Sequence, residues 1–124
     1  DSDLLLLQRG TDVQKITFQN LTDDLQSIKT IEQVVASQTA AYAYKDVSLV
    51  NAGSNSIVLQ LPPAIAASGK VLTFKRIDAA SDSTHTVRID GSGTQTIDDA
   101  SFKRLYYRYE GLNIISDGNN WFII

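Results

Sequence analysis

Val71-Leu72-Thr73-Phe74-Lys75-Arg76-Ile77 is one of a series of short, mostly apolar runs separated by turn residues, and that series decides the fold. Residues 47–50 and 57–61 precede it; residues 86–89, 102–109, 113–115 and 121–124 follow it. Short strand-like runs at such regular spacing are the pattern of an all-β sandwich or barrel. Between them, Asn51-Ala52-Gly53-Ser54-Asn55, Asp90-Gly91-Ser92-Gly93 and Ser116-Asp117-Gly118-Asn119-Asn120 supply residues that tolerate left-handed backbone, so each is expected to turn a hairpin. Pro62-Pro63 cannot donate ladder hydrogen bonds and should end the run 57–61. The expected fold is mainly β: a small antiparallel β-sandwich or barrel over residues 45–124, with the bare apolar run 121–124 as a central or interface strand.

Upstream the composition changes. Gln38-Thr39-Ala40-Ala41-Tyr42-Ala43-Tyr44 is small and polar, a connector to a separate arm at residues 1–44. Asn20 or Thr22 can cap a helix whose first turn carries Asp23 and Asp24. Leu21, Leu25, Ile28, Ile31 and Val35 then form one apolar stripe at helical spacing. Within it Leu21, Ile28, Ile31 and Val35 are the candidate oligomer seam, with packing on the β module as the alternative. Further upstream, two β-like runs flank Arg9-Gly10-Thr11-Asp12 and read as a hairpin. Leu4, Leu5, Leu6 and Leu7 do not alternate, so both faces of that strand need cover, part of it from another chain.

The balance of charge and chemistry narrows the function. A net charge of −3 over 124 residues argues against broad capture of nucleic acid or of an anionic membrane surface. The leucine run is far shorter than the roughly 20 apolar residues of a membrane span. The chain has no cysteine and one histidine, His85, which leaves little for a transition-metal site, and no cofactor fingerprint is present. Ser81, Asp82 and His85 lie near one another in sequence but carry none of the surroundings of a nucleophile elbow, so an enzyme is not expected.

The most suggestive polar cluster runs from Phe102 to Glu110. Read as a strand, it puts Phe102, Arg104, Tyr106 and Arg108 on one face and Lys103, Leu105, Tyr107 and Tyr109 on the other. Arginine beside aromatics suits a subunit interface, the reading favoured by the acidic balance of the chain, or a face that stacks on the bases of a nucleic acid or on the sugars of a glycan.

Taken in order, the second part of the chain resembles a module of tail fibres, head fibres and decoration proteins of tailed phages. The likeness covers roughly residues 56–124. It is carried by Leu59-Gln60-Leu61-Pro62-Pro63-Ala64, Gly69-Lys70-Val71-Leu72-Thr73-Phe74-Lys75-Arg76-Ile77-Asp78, Val87-Arg88-Ile89, Gln95-Thr96-Ile97-Asp98-Asp99-Ala100 and, most specifically, Ile115-Ser116-Asp117-Gly118-Asn119-Asn120-Trp121-Phe122-Ile123-Ile124. Leu7-Gln8-Arg9-Gly10 followed by Lys15-Ile16-Thr17-Phe18 likewise looks like the opening of many phage virion proteins. The resemblance implies a virion structural protein at the particle surface, expected to be homotrimeric, with the major capsid protein or another virion protein as partner. It implies docking through the arm, at Leu4, Leu5, Leu6, Leu7, Arg9, Ile16 and Phe18. Its motifs are structural and carry over no catalytic residue. A capsid decoration or cement protein is the first reading, and a tail-fibre or glycan-binding host-recognition component the second.

Overall fold

The computed structural model describes residues 28–79 and 84–124. Among the described residues there are eight strands: β1 (Ile31–Val34), β2 (Val47–Val50), β3 (Ile57–Gln60), β4 (Val71–Arg76), β5 (Val87–Asp90), β6 (Phe102–Leu105), β7 (Gly111–Ser116) and β8 (Trp121–Ile123). They form a five-stranded sheet in the order β1-β2-β4-β7-β8 and a three-stranded sheet in the order β3-β5-β6. The class is mainly β, two sheets around one core, and neither sheet closes into a barrel.

The pairing differs from the expected antiparallel scheme. β1 with β2, β2 with β4 and β3 with β5 are parallel, and only β4 with β7, β7 with β8 and β5 with β6 are antiparallel. Parallel neighbours need a crossover, and here the crossover is the other sheet. The chain leaves β1, bridges through Gln38 to Leu59 on the three-stranded side, returns as β2, crosses to β3, returns as β4 and crosses again to β5. It winds as a coil before β6, β7 and β8 finish the sheets antiparallel. The turn at residues 51–55 therefore carries the chain from one sheet to the other rather than closing a hairpin. The turn at residues 90–93 does open a link between antiparallel neighbours, β5 and β6, though one that runs through residues 91–101. The third closes tightly: Asp117 Oδ1 accepts the amides of Asn119 and Asn120, both at 2.8 Å, between β7 and β8.

Two elements are corrected outright. Residues 31–34, expected on an amphipathic helix, are the strand β1, paired from Ile31 with Val47 to Val34 with Val50. The β-branched residues Thr30, Ile31, Val34 and Val35 lose rotamer freedom in a helix, and sheet pairing rewards them. The Glu32 carboxylate accepts from the Tyr42 hydroxyl, the Ser48 hydroxyl and the Lys45 amide, while Val34 buries its side chain. The five-stranded sheet thus begins upstream of residue 45, inside the segment expected as arm. The second correction concerns β8, expected as a central or interface strand: it lies at an edge of the sheet, which removes the central reading. Its outer side is sealed locally, because Trp121 donates to the Thr96 carbonyl, Asp98 donates to the Trp121 carbonyl, and the Ile123 amide donates to Asp98 Oδ1. Closing the open ladder in this way removes a template for aggregation.

The core follows from period-two alternation. Ile57 and Leu59 on β3, Val87 and Ile89 on β5, Leu72 and Phe74 on β4, and Ile114 on β7 all point between the sheets and are buried. Trp121 is fully buried among them, and Tyr44 packs edge-on to Phe74 with ring centroids 5.3 Å apart. The Tyr44 hydroxyl donates to the Gln60 carbonyl at 2.8 Å, and burial pushes its pKa up. Pro62-Pro63 does end β3, and a single 3-10 turn, Ala64–Ala67, follows it.

Candidate functional site

Two surfaces stand out. The first is the outer face of the five-stranded sheet. By register, the residues alternating with the buried ones bring Ile31, Val47, Leu49, Val71, Ile115 and Phe122 to that side, with Gln33, Thr73 and Asn113 between them and Lys75 towards one end. Ile31 is 62% exposed and Phe122 41% exposed, at opposite edges of the face, and the residues between them are half-buried or exposed. Thr73 and Asn113 satisfy each other side chain to side chain at 2.8 Å. The face is broad, largely uncharged and uncovered by any described element, whereas large contiguous apolar patches on a protein surface mark sites of contact.

The candidate seam residues are brought partly to this face, though not by a helix. Ile31 lies on it, and Val35, at the same parity just past β1, is 69% exposed. Ile28 is exposed ahead of β1. Leu21, and the docking candidates Leu4, Leu5, Leu6, Leu7, Arg9, Ile16 and Phe18, lie outside the described residues. Val47, Leu49, Val71 and Ile115 were not singled out from sequence. Their alternation signalled half-buried strands, but which side of the sheet they shared depended on the parallel pairing.

The second surface is the tip made by the end of β6 and the turn that follows. The expected strand 102–109 stops at Leu105. Arg76, fully buried on β4, stops it: its Nη1 donates to the carbonyls of Leu105 and Tyr106 at 3.2 and 2.9 Å, and its backbone carbonyl accepts the Tyr109 amide. Glu110 closes the turn from the other side, Oε1 accepting the amides of Tyr106 and Tyr107. Tyr109 is held at φ 69°, a left-handed conformation that L side chains disfavour. Non-glycine residues kept in such conformations cluster at functional sites.

What this frame presents is aromatic and cationic. Tyr106, Tyr107 and Tyr109 are exposed, the first two with ring centroids 6.3 Å apart. Arg104 and Arg88 both lie over the Phe102 ring, at 4.5 and 5.2 Å, and Arg108 and Lys75 lie over Tyr109 at 4.7 and 5.5 Å. Arg88 is neutralised by a two-point pair with Asp90 at 2.7 and 2.8 Å. Among the described residues neither Arg104 nor Arg108 has a carboxylate within ion-pair distance. Arg88 and Arg104 are direct cross-strand partners, a like-charge juxtaposition that would destabilise the sheet but that Asp90 offsets on the Arg88 side. The sequence reading found the residues of 102–110 but not Lys75, Arg88 or Asp90, which pairing brings beside them; it also missed the change of faces after Leu105, because nothing local announces that Arg76 will take that carbonyl.

Elsewhere, a concavity of about 330 Å³ is lined by Tyr42, Tyr44, Pro62, Pro63, Lys70 and several alanines. Its polar groups are already engaged: Tyr42 donates to Glu32, Tyr44 to Gln60, and the Lys70 amine to the Tyr44 carbonyl. No group of three or more His, Asp or Glu side chains placed to hold a metal ion occurs among the described residues. The fold and surfaces define a small two-sheet β domain with an apolar outer face and an aromatic, arginine-rich tip. Compared with family models, curated proteins and solved structures, the chain matches none.

Proposed function

We propose that this chain is a structural protein of a tailed-phage particle, a capsid decoration or cement protein that docks on the shell and associates with further copies of itself to stabilise it. The observation that carries the reading is the outer face of the five-stranded sheet. It spans five strands with one charged side chain, Lys75, on its register rows, which is the depletion of charge found at the centre of interfaces. Apart from the row through Lys75 the face is uncharged, so it is complementary to itself, and an oligomer would cover it. The order of motifs over residues 56–124 supports placement in a virion, with the major capsid protein as the second partner. Such a protein works by burying surface, without a cofactor and without chemistry.

The test is reconstitution. Purified protein is mixed with phage heads that lack it and imaged by electron cryomicroscopy. Ordered density at symmetric shell positions is the expected result; density confined to the tail, or none on the particle, overturns the decoration reading. A host-recognition component is the second reading, and the exposed tyrosines and arginines of the tip favour it.

A further inference from the structure

We infer that the tip formed by Phe102, Arg104, Tyr106, Tyr107 and Arg108 binds an acidic polysaccharide, the tyrosine rings stacking on sugar faces and the two arginines, which have no carboxylate partner among the described residues, taking carboxylate or sulfate groups. This inference stands apart from the shell-docking reading, because it uses a different surface.

Three observations converge on it. First, the tip is built in advance: Arg76 and Glu110 hold the backbone of residues 105–107 from both sides, so presenting the rings requires no rearrangement on binding. Second, the guanidinium groups of Arg104 and Arg108 rest on rings at 4.5 and 4.7 Å. A guanidinium held over a ring restricts where the fork can lie, and its N–H donors can receive a planar or tetrahedral oxyanion in two-point fashion. Third, Arg88 and Arg104 oppose each other across the β5–β6 ladder, and among the described residues Arg88 has a carboxylate partner, Asp90, while Arg104 has none. An anion brought to Arg104 would give it the kind of partner that Asp90 gives Arg88.

The chemistry of the ligand follows from the mixture. Exposed tyrosines offer flat apolar faces with a polar rim, which suits pyranose rings. A polynucleotide would draw on a broad positive field, and here the cations are interrupted by Asp90 and Glu110 on a chain of net charge −3. A neutral glycan would leave the arginines without partners.

The experiment is affinity electrophoresis and titration calorimetry of the full chain with polygalacturonate, dextran sulfate, neutral dextran and a single-stranded oligonucleotide at about 0.15 M salt. Binding to at least one acidic polysaccharide and none to neutral dextran is expected. Arg104→Gln combined with Arg108→Gln should weaken binding roughly tenfold or more, the scale of one hydrogen bond to a charged group. Tyr107→Ala should weaken it as well, while the thermal transition followed by Trp121 fluorescence stays where it is in the parent. Failure to bind either acidic polysaccharide overturns the inference. So does binding that treats the oligonucleotide equally and ignores Tyr107→Ala, since that is attraction of any polyanion.

Discussion

Arg76 and Asp78 form a two-point ion pair inside the protein, Nε to Oδ1 at 2.9 Å and Nη2 to Oδ2 at 3.0 Å, with the Arg76 side chain wholly excluded from solvent. The remaining groups are also satisfied: Nη1 donates to the carbonyls of Leu105 and Tyr106, and Asp78 Oδ1 accepts the Ala52 amide. One buried pair thereby ties β4, the loop after β2 and the tyrosine turn together. Removing one partner leaves a buried charge uncompensated, so Asp78→Ala should destabilise the fold by about 3–5 kcal/mol. Urea unfolding followed by Trp121 fluorescence measures it. A loss below about 1 kcal/mol would show that the pair does not hold the tip.

The same pair sets an acid limit. Burial raises the Asp78 pKa, but the hydrogen bonds from Arg76 and the Ala52 amide outweigh it and leave the carboxyl below its ordinary value. The backbone amides of Asn120 and Asn119 lower Asp117, and the Thr30 amide and hydroxyl lower Asp46. A carboxylate whose pKa is lower in the folded than in the unfolded chain contributes stability that is complete above the unfolded value, about 3.9, and is lost as pH falls through the folded one. The urea midpoint should therefore be level from neutrality down to about pH 5 and decline below about pH 4. Because Asp46 holds Thr30 at the entry to β1, amides of β1 should lose exchange protection early in that decline.

How much of this was legible in the sequence differs by element. The strands β2, β3, β4, β5 and β8 fall within a residue or two of the apolar runs, because alternation such as Ile57 and Leu59 buried against Val58 and Gln60 half-buried is a local property. Pairing is not local. Nothing in residues 47–50 and 71–76 says that they lie side by side and parallel, so the outer face could not be assembled from sequence. Residues 28–35 satisfy a helical stripe and a strand equally well, and the three groups that Glu32 gathers from residues 42–48 decide for the strand. At the tip the residue types were plain from the start, but the geometry depended on Arg76, far away in the chain.

Tyr109 separates a residue kept for the fold from one kept for the surface. Its φ of 69° costs about 1–2 kcal/mol relative to glycine, and the exposed contacts of its ring with Arg108 and Lys75 return about 0.5–1 kcal/mol each. Glycine also gives the unfolded chain more freedom. These effects nearly cancel, so Tyr109→Gly should change stability by no more than about 1 kcal/mol, a small effect for loss of so large a side chain. Tyr44→Phe, which removes only a hydroxyl, should cost a comparable 0.5–1.5 kcal/mol, roughly the net worth of the hydrogen bond to Gln60. Thermal melts of the two variants side by side decide it. A large loss for Tyr109→Gly would mean that the turn exists for stability.

The outer face of the five-stranded sheet makes the last demand. Ile31 and Phe122 lie on its opposite edges and are 62% and 41% exposed, so replacing both with lysine removes little packing from the protomer. Surface substitutions of that kind usually shift stability by about 0.5 kcal/mol or less each. If the face is the contact between copies, however, two lysines per protomer would bring charge to both edges of an apolar interface, where a charge buried without a partner is disfavoured. Ile31→Lys with Phe122→Lys should thus leave the melting temperature of the protomer near that of the parent while converting a concentration-dependent oligomer to a monomer in sedimentation velocity. Identical sedimentation of variant and parent would locate self-association elsewhere, and a parent that is monomeric at every concentration would leave the face to a different protein of the particle.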